Sequence, residues 1–373
     1  MKAIDNLYFS IYIEKIKNKG EDAKPLVVTE NSNILLGVFD GLGGAGSIQK
    51  YKIGDDKDYK SGAYIASRVV KNTVKAYFEY VNLNKLLNYK FSIYSFNFSF
   101  FKDKKIDQKN IEKFIKGLEQ DILESLELYE NSYADNSKSS LLKSKSVNLL
   151  PTTMALMSMI YINERRYIFT FWAGDSRNYI LYKYGLSQLT IDDIDDFDCT
   201  LNAINSNAPM NNYISLSKDF RINYRYFKEE EEKQILISAT DGAFGVFDTP
   251  LEFEFMIIQT MQNSNSVKMW NEQIKSILKE RQNDDISLIV YPVGFSDFND
   301  IKNFYRERFN ILSQKIESIK KNKEDIKRIE NKLLEIQEVL QTNQKLFEQQ
   351  LNRDWEEYRN LYLNKFCFKK DKT

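Results

Sequence analysis

Four short acidic motifs lie between residues 20 and 285 of the chain: Gly20-Glu21-Asp22, Phe39-Asp40-Gly41, Thr240-Asp241-Gly242 and Asn283-Asp284-Asp285. Three of them stand at the end of an apolar run that is predicted to be a β-strand. Carboxylates that are crowded together repel one another unless a cation neutralises the group. The motifs therefore predict one oxygen-lined metal centre built from distant parts of the chain, and they favour hydrolytic metal chemistry over a binding module.

Glycine follows two of these aspartates, Asp40 and Asp241, where it lets the backbone turn sharply beside the carboxylate. Hard divalent cations such as Mg²⁺ and Mn²⁺ prefer oxygen ligands. Three or four carboxylates and one carbonyl would hold two such ions and leave positions open for water. Two ions about 4 Å apart can share one water, lower its pKa and orient it for attack on phosphorus.

The composition excludes several classes of site. The 373 residues include no histidine, which rules out Ser-His-Asp and Cys-His triads, a histidine base and His-ligated zinc. Lysine plus arginine equals aspartate plus glutamate, 53 each, so no overall charge directs the chain to nucleic acid or to an anionic membrane. Two cysteines, Cys199 and Cys367, and the lack of a secretory signal or a membrane-length apolar run predict a cytoplasmic protein without disulfides.

The glycines of residues 41–46 also satisfy the pattern G-x-G-x-x-G of dinucleotide-binding proteins. That site needs a helix that begins directly after the glycines, so that its N-terminus meets the pyrophosphate. A polar, lysine-rich stretch, residues 47–61, stands there instead, and Asp40 would repel the phosphates. The dinucleotide alternative is therefore disfavoured.

The chain separates into a mixed region, residues 1–296, and a region without glycine or proline, residues 297–373. The mixed region predicts α+β layers rather than strict βαβ alternation. Its predicted strands are residues 8–16, 34–39, 153–162, 167–172, 178–182, 234–239 and 286–291. Its predicted helices are residues 62–80, 108–130, 251–263 and 266–281.

Three segments of the mixed region are less regular. Aromatic residues alternate with small polar ones over residues 91–101, which predicts either an inserted strand over the core or an exposed docking edge. Residues 131–148 are polar and serine-rich and predict a loop. The acidic run of Asp192, Asp193, Asp195, Asp196 and Asp198 lacks the glycine and the final glutamate of a calcium loop, so it is interpreted as a solvated loop.

Seven motifs follow one another along the chain: Glu21-Asp22, residues 38–44, Thr152-Thr153, residues 172–177, Leu189-Thr190, residues 238–242 and residues 284–287. Their order resembles that of the PP2C family of metal-dependent serine/threonine protein phosphatases. The resemblance is collinear from about Tyr8 to Val293. It implies a sandwich of two antiparallel β-sheets flanked by helices, with metals in a cleft at one end.

The resemblance also implies a ligand set for Mn²⁺ or Mg²⁺. Asp40, Asp241 and Asp284 match the ligands of one ion. Glu21, Asp40 and the carbonyl of Gly41 match those of a second ion, with Asp40 shared between the two.

Two further acids match positions near the ions. Asp22 resembles the acid that orients metal-bound water in this family. Asp175 occupies the place that is linked to a third, looser metal shared with Asp241. Asp285 follows a ligand and stands where many members carry asparagine.

The sequence also departs from the family pattern. Lys17 stands where the family has its phosphate-contacting arginine, and lysine offers a point charge without the bidentate fork of arginine. Leu42 stands where eukaryotic members have histidine and bacterial members commonly have methionine, which favours the bacterial-like branch. The family's mobile flap corresponds roughly to residues 200–218.

Residues 297–373 predict either one long helix or a helical hairpin that turns at residues 320–325. The heptad pattern predicts a coiled-coil seam, which would form a homodimer or bind a partner protein. Its first row is Leu312, Ile319, Ile326, Leu333, Leu340 and Phe347, and its second is Ile316, Ile329 and Ile336. An aromatic end patch follows at Trp355, Tyr358, Leu361, Tyr362 and Phe366.

The resulting expectation is a phosphatase that removes phosphate from phosphoserine or phosphothreonine in a protein substrate, by attack of a water that the two metal ions share. Asp40, Asp241, Asp22 and Lys17 are the predicted catalytic residues. The alternative is a catalytically weak or inactive scaffold of the same fold that acts through its helical tail. Retention of the mutually repelling acids favours the enzyme, and Lys17 in place of arginine favours the scaffold.

Overall fold

The computed structural model describes residues 7–30, 32–43, 50–52, 59–81, 108–133, 149–162, 165–194 and 210–366. The chain divides into two compact units, Met1–Asn310 and Ile311–Thr373. The boundary that the sequence predicts, after residue 296, stays a prediction.

The first unit is built on two five-stranded sheets in which every pair of neighbouring strands is antiparallel, so the predicted pair of antiparallel sheets is confirmed. The first sheet has the order β1 (Phe9–Ile13), β12 (Ile286–Val293), β11 (Gln234–Ala239), β8 (Arg177–Tyr182) and β9 (Gly185–Gln188). The second has the order β10 (Asn223–Glu229), β7 (Arg165–Ala173), β6 (Met154–Ile162), β3 (Asn33–Phe39) and β2 (Ala23–Glu30). A small hairpin joins β4 (Lys50–Lys52) to β5 (Tyr59–Ser61).

The inner faces of the two sheets pack on one another, because alternate side chains of each strand point to the same face. Leu36 and Val38 of β3 meet Leu236 of β11 and Ile289 of β12 in one buried cluster. The intervening residue of β3, Leu35, belongs to a second cluster on the other face of the sheet. Strand β3 is therefore buried on both faces, which explains its uninterrupted apolar sequence.

Helices cover the outer face of each sheet. The second cluster contains residues of α1 (Gly62–Ala76) and α2 (Gln108–Tyr133), packed on the second sheet. On the first sheet, Phe9 meets Trp270 of α5 (Val267–Arg281) edge to face at 5.0 Å, and Tyr179 packs on Phe253 of α4 (Pro250–Gln262) at 5.7 Å. A short helix, α3 (Asp241–Phe244), begins directly after β11.

The sixth helix, α6, runs without interruption over Phe298–Phe366. It passes through residues 320–325, so the alternative of a helical hairpin is wrong. Within the first unit, Tyr305 of α6 is buried and its hydroxyl donates to the carbonyl of Leu181 at 2.6 Å. No helix among the described residues is both long enough and apolar enough to cross a membrane.

Several predicted elements differ from those observed. The predicted strand at residues 8–16 ends at Ile13, and the predicted loop from residue 131 begins later because α2 continues to Tyr133. The sequence pattern does not predict β2, β10 or the short strands β4, β5 and β9. The sequence of β2, AKPLVVTE, contains a proline, which disfavours a strand. The sequence of β10, NYRYFKE, lacks the apolar run of a buried strand, and both β2 and β10 are edge strands. Residues 91–101, residues 134–148 and most of residues 200–218 lie outside the described residues.

Candidate active site

Antiparallel pairing brings the acidic motifs to one end of the sheets. Ala23 of β2 lies opposite Phe39 of β3, so Asp22, which precedes β2, lies beside Asp40, which follows β3. In the other sheet, Ala239 of β11 lies opposite Leu288 of β12. Asp241, which follows β11, therefore lies beside the residues that precede β12.

The ends of a third pair of strands, β6 and β7, also contribute to this end of the sheets. Met154 of β6 lies opposite Ala173 of β7, so Thr153 and the Gly174-Asp175 turn meet at the ends of these strands. The carbonyl of Asp40 accepts hydrogen bonds from the Thr153 amide at 2.8 Å and from the Thr152 hydroxyl at 2.5 Å. The threonine pair thus fixes the backbone of Asp40. From the sequence alone, Thr152 and Thr153 look like nothing more than the start of a strand.

Asp22 and Asp241 both lie close to Asp40. Burial raises the pKa of Asp40, and the nearby charges of Asp22 and Asp241 raise it further. Asp22 is 1% exposed, and its Oδ2 accepts a hydrogen bond from Thr240 Oγ1 at 3.0 Å. Carboxyl groups from both sheets therefore form one cluster, in which Thr240 of one sheet contacts Asp22 of the other.

Burial is the main cause of a raised pKa in every acid of this cluster. It raises the pKa of Asp22 to about 7 and that of Asp175 to about 8. Burial and the neighbouring carboxylates hold the pKa of Asp40 well above its usual range. Burial raises the pKa of Asp241 as well, and the charge of Asp284 adds to that rise. Without a cation, the cluster therefore retains protons near neutral pH.

Glu21 lies at the rim of the cluster. Its Oε1 accepts a hydrogen bond from Ser61 Oγ at 2.5 Å, and burial raises its pKa. Its backbone carbonyl accepts hydrogen bonds from Ser67 Oγ at 2.5 Å and from Arg68 Nη1 at 3.2 Å. The first two turns of α1 therefore hold both the side chain and the backbone of Glu21.

Asp284 and Asp285 have different environments. Asp284 is exposed and accepts a hydrogen bond from the Asp285 amide at 2.8 Å. Asp285 is buried, and its carboxylate accepts from the amide of Lys15 at 2.7 Å and from the amide of Glu21 at 2.5 Å. Asp285 thus ties the turn after β1 to the start of β12 and orients Glu21.

Two glycines allow backbone segments to approach closely at the site. A Cβ at Gly41 would lie 2.5 Å from the carbonyl oxygen of Glu21, and a Cβ at Gly242 would lie 1.9 Å from that of Asp285. Real Cβ atoms do not approach backbone oxygen this closely. The glycines that the sequence places after Asp40 and Asp241 are therefore required by packing between the motifs.

Asp175 carries a polar atom without a partner. Its Oδ1 is buried and has no hydrogen bond within the described structure. Its neighbours include Asp241, whose negative charge contributes to the raised pKa of Asp175. An unpaired buried carboxyl oxygen beside other acids is the environment that a cation would satisfy.

The first two acids of the 192–198 run are not solvated. Arg177, which is buried, forms a salt bridge to Asp192, with Nε 2.9 Å from Oδ1, and its guanidinium lies 4.1 Å from the centre of the Phe244 ring. Asp193 accepts a hydrogen bond from the Gly174 amide at 2.9 Å. The interpretation as a solvated loop is therefore wrong for Asp192 and Asp193, because a buried arginine needs a counter-charge. Asp195, Asp196 and Asp198 lie outside the described residues.

Lys17 does not join the cluster. It lies in an exposed turn after β1, and within the described part of the chain its ammonium has no hydrogen bond or ion pair. Arg68 is instead the cation that contacts the Gly20-Glu21 segment. The sequence gives no direct signal for Arg68, Ser61 or Thr240, because their roles depend on which elements pack together.

The donor set suits a hard divalent cation, although the side chains are not arranged around one. Among the described residues, no three acidic or cysteine side chains form a group that could hold a metal ion. Asp22, Asp40 and Asp241 instead lie beside one another, and burial raises the pKa of each, so that the cluster retains protons. All the donors are oxygens, the acids repel when ionised, and Asp175 Oδ1 lacks a partner. These properties fit Mg²⁺ or Mn²⁺, which would replace the shared protons.

No family model and no curated protein matches the sequence. Among solved structures, the chain is similar to the serine/threonine phosphatase Stp1 from Staphylococcus aureus, with 14% identity, a TM-score of 0.49, and 77% of this chain and 94% of that chain covered. It is also similar to the Mycobacterium tuberculosis serine/threonine phosphatase PstP/Ppp, with 13% identity, a TM-score of 0.46, and coverage of 77% and 98%. PppA, described as a regulatory component of T6SS in Pseudomonas aeruginosa, has 15% identity, a TM-score of 0.45, and coverage of 76% and 97%. All three share 15% identity or less with this chain.

Proposed function

We propose that the chain is a metal-dependent phosphoprotein phosphatase of the PP2C type, which hydrolyses phosphoserine and phosphothreonine in the cytoplasm. The observation that carries the proposal is the convergence of Asp22, Asp40 and Asp241 at the ends of two sheets. Buried acids without a counter-charge destabilise a fold when they ionise. A cation-dependent function explains why such a cluster is present.

The proposed ligands follow the positions of the acids. Asp40, Asp241 and Asp284 would hold one Mn²⁺ or Mg²⁺, and Glu21, Asp40 and the Gly41 carbonyl would hold a second. Asp175 would contribute to a third, looser position. When bound, the ions would neutralise the phosphate ester and lower the pKa of the attacking water.

The chain's own residues would position the reactants. Asp22, fixed by the Thr240 hydroxyl, would accept a hydrogen bond from water and so orient it. Thr152 and Thr153 would keep Asp40 in place through its carbonyl. Lys17, whose ammonium is free among the described residues, would approach the phosphate as a point charge.

Hydrolysis of a phosphoserine peptide tests this proposal. The full chain should release phosphate only when Mn²⁺ or Mg²⁺ is present. Asp241→Asn should lower kcat/KM by about 100-fold or more, as expected for loss of a group that stabilises the transition state. Asp219→Asn changes the same chemical group at an exposed position outside the proposed ligand set and should leave the rate unchanged.

The alternative function is a scaffold that acts through α6. One observation favours it: the second unit exposes a long series of large apolar side chains. If wild-type protein binds Mn²⁺ but shows no turnover, the scaffold replaces the enzyme. The exposed side chains are Ile326, Ile329, Leu333, Leu334, Ile336, Val339, Leu340, Leu346, Phe347, Leu351, Trp355, Tyr358 and Tyr362.

Under either function, we propose that this part of α6 associates with a second copy of the chain or with a helical partner. Ile326, Leu333, Leu340 and Phe347 recur every seven residues and are all more than half exposed. Such a row is stable in water when a facing helix covers it. In the aromatic end patch, Trp355, Tyr358 and Tyr362 contact one another in series, while the side chains of Leu361 and Phe366 lie outside the described structure.

A further inference from the structure

A band of cations borders the candidate active site on the outer edge of the second sheet. We name Lys24, Arg68, Lys71 and Lys75 the basic band. Lys24 lies on β2, the edge strand of the sheet, and the other three lie on α1. Arg68, Lys71 and Lys75 are spaced by three and four residues, so they share one face of the helix.

The charges of the basic band lie close to one another. Lys71 is half-buried, and its pKa is lowered first by burial and then by the positive charges of Arg68, Lys24 and Lys75. Each of the other three cations thus lies near Lys71. In a chain with equal numbers of acidic and basic residues, such a group is a local departure from the overall balance.

Little in the described structure neutralises the basic band. Lys75 has one carboxylate partner, Glu79, at 4.0 Å. Lys24 and Lys71 have no such partner within the described residues. The guanidinium of Arg68 donates to the carbonyls of Gly20 and Glu21 rather than to a carboxylate. The band therefore presents positive charge to whatever lies against it.

The basic band begins at the site itself. Arg68 contacts the backbone of Glu21, and Ser61 at the start of the same helix contacts the Glu21 carboxylate. From Arg68, the band extends along α1 to Lys75, about 10 Å at 1.5 Å per residue. An extended peptide covers that distance with about three residues at 3.3 Å each.

We infer that the site acts on acidic phosphoprotein segments, in which aspartate, glutamate or a second phosphoresidue stands within about four positions of the reacting phosphoserine or phosphothreonine. The inference rests on the proposed phosphatase function and deepens it. An anionic membrane would be attracted by the same charges. A peptide is favoured because the band is continuous with the site, where a substrate chain must pass.

The test compares three peptides of equal length on the full-length, Mn²⁺-loaded protein. Each carries one phosphoserine, flanked by neutral glutamines, by glutamates or by a second phosphoserine. The flanking groups do not touch the reacting atoms, so they should act on KM and leave kcat unchanged. Three exposed ion pairs predict a KM about fivefold to tenfold lower for the acidic peptides, and the difference should shrink at 0.5 M salt.

The band variant is Lys24→Gln, Lys71→Gln and Lys75→Gln combined. It should hydrolyse the neutral peptide at the wild-type rate and lose the preference for acidic flanks. The matched control replaces three exposed lysines of α5, Lys268→Gln, Lys275→Gln and Lys279→Gln, and should keep the preference. Comparison of KM for the glutamate-flanked and the phosphoserine-flanked peptides shows which acidic group is recognised.

Failure of this inference can be told apart from failure of the proposed function. Equal KM values for the neutral and acidic peptides, or an acidic preference that persists in the band variant, would overturn the inference and leave the phosphatase intact. If no peptide is hydrolysed, the anisotropy of a labelled, unphosphorylated acidic peptide measures the band directly. Salt-sensitive binding of this peptide that the band variant loses supports recognition of acidic segments by the basic band. Anionic lipid vesicles are tested in parallel. No peptide binding, or binding of the vesicles but not of the peptide, contradicts the inference.

Discussion

Asp22 and Asp40 lie side by side at the open end of the β2–β3 hairpin. One acid precedes its strand and the other follows its partner strand, so antiparallel pairing alone places them together. Thr240 then reaches Asp22 from the opposite sheet. The contact between the two sheets is thus part of the candidate site, and a change in their packing would also change the site.

Stability without metal should depend on pH in a defined direction. In the folded chain the pKa of Asp22 is about 7 and that of Asp175 about 8, whereas unfolded aspartate ionises near 4. Between the unfolded and the folded pKa, the folded chain holds protons that the unfolded chain has lost, so stability falls as pH rises and levels off above the folded pKa. We expect the Tm of EDTA-treated protein to fall between pH 5 and pH 8, and Mn²⁺ to restore it most at pH 8.

The control for the pH experiment is the double variant Asp22→Asn/Asp175→Asn. It lacks two of the acids whose pKa is raised, so its Tm should vary less with pH than that of the wild type. A wild-type Tm that is flat over this range, or a double variant with the same slope, would show that Asp22 and Asp175 do not hold protons in the folded state.

Thr240→Val should weaken the link between the two sheets. It removes the hydroxyl that donates to Asp22 and accepts from the Ser287 amide, and leaves buried partners unsatisfied. We expect a loss of about 1–3 kcal/mol in the free energy of unfolding, together with a fall in kcat. Denaturant unfolding and steady-state kinetics measure the two effects.

Thr260→Val is the control for Thr240→Val, because it removes another buried threonine hydroxyl. Thr260 is also buried, but its hydroxyl bonds within α4 and to Trp270. It should lower stability without changing kcat at a temperature where the variant is folded. Equal effects of the two variants on kcat would mean that Thr240 acts on the fold alone.

Gly242→Ala should disrupt the site through sterics. The added Cβ would lie 1.9 Å from the carbonyl oxygen of Asp285, so the segments that carry Asp241 and Asp284 must separate. We expect a loss in kcat/KM of about 100-fold, since small displacements of catalytic groups have effects of this size. In Gly185→Ala the Cβ meets the end of the Arg308 side chain at 3.1 Å, and the φ of +158° strains the backbone as well. This variant should lose stability but retain activity at a temperature where it is folded. Wild-type kinetics in Gly242→Ala would contradict the close approach.

The exposed row on α6 should control association. Leu333→Glu combined with Leu340→Glu places charges in the proposed seam, so light scattering of the full chain should show a smaller assembly than for wild type. Asn331→Glu with Asn352→Glu adds the same charges on the opposite face and should have no such effect. If the wild type is a monomer, the exposed row does not mediate association between copies of the chain.

Part of the acidic cluster could be predicted, because the motifs at residues 34–41 and 235–242 each combine a buried apolar strand with an acid and a turn. The continuous α6 was one of two predicted alternatives, and the absence of glycine and proline agreed with it. The edge strands β2 and β10 could not be predicted, because an edge strand carries polar residues such as Lys24 and Arg225.

The contacts of Ser61 and Arg68 were also beyond the sequence. Ser61 has the pattern of a helix cap and does accept from the Tyr64 amide, but the same hydroxyl donates to Glu21. That second role exists only because α1 packs beside the turn that precedes β2. Tertiary packing of this kind leaves no local signature.

Titration of the metal-free protein with Mn²⁺, followed by calorimetry, tests the central claim most directly. The claim predicts saturable binding of about two ions by the wild type, since a two-metal site has that stoichiometry. Binding should be retained in Asp219→Asn and lost or strongly weakened in Asp40→Asn, because Asp40 is shared by both proposed ligand sets. Absence of saturable binding in the wild type, or equal binding in Asp40→Asn, would contradict the account.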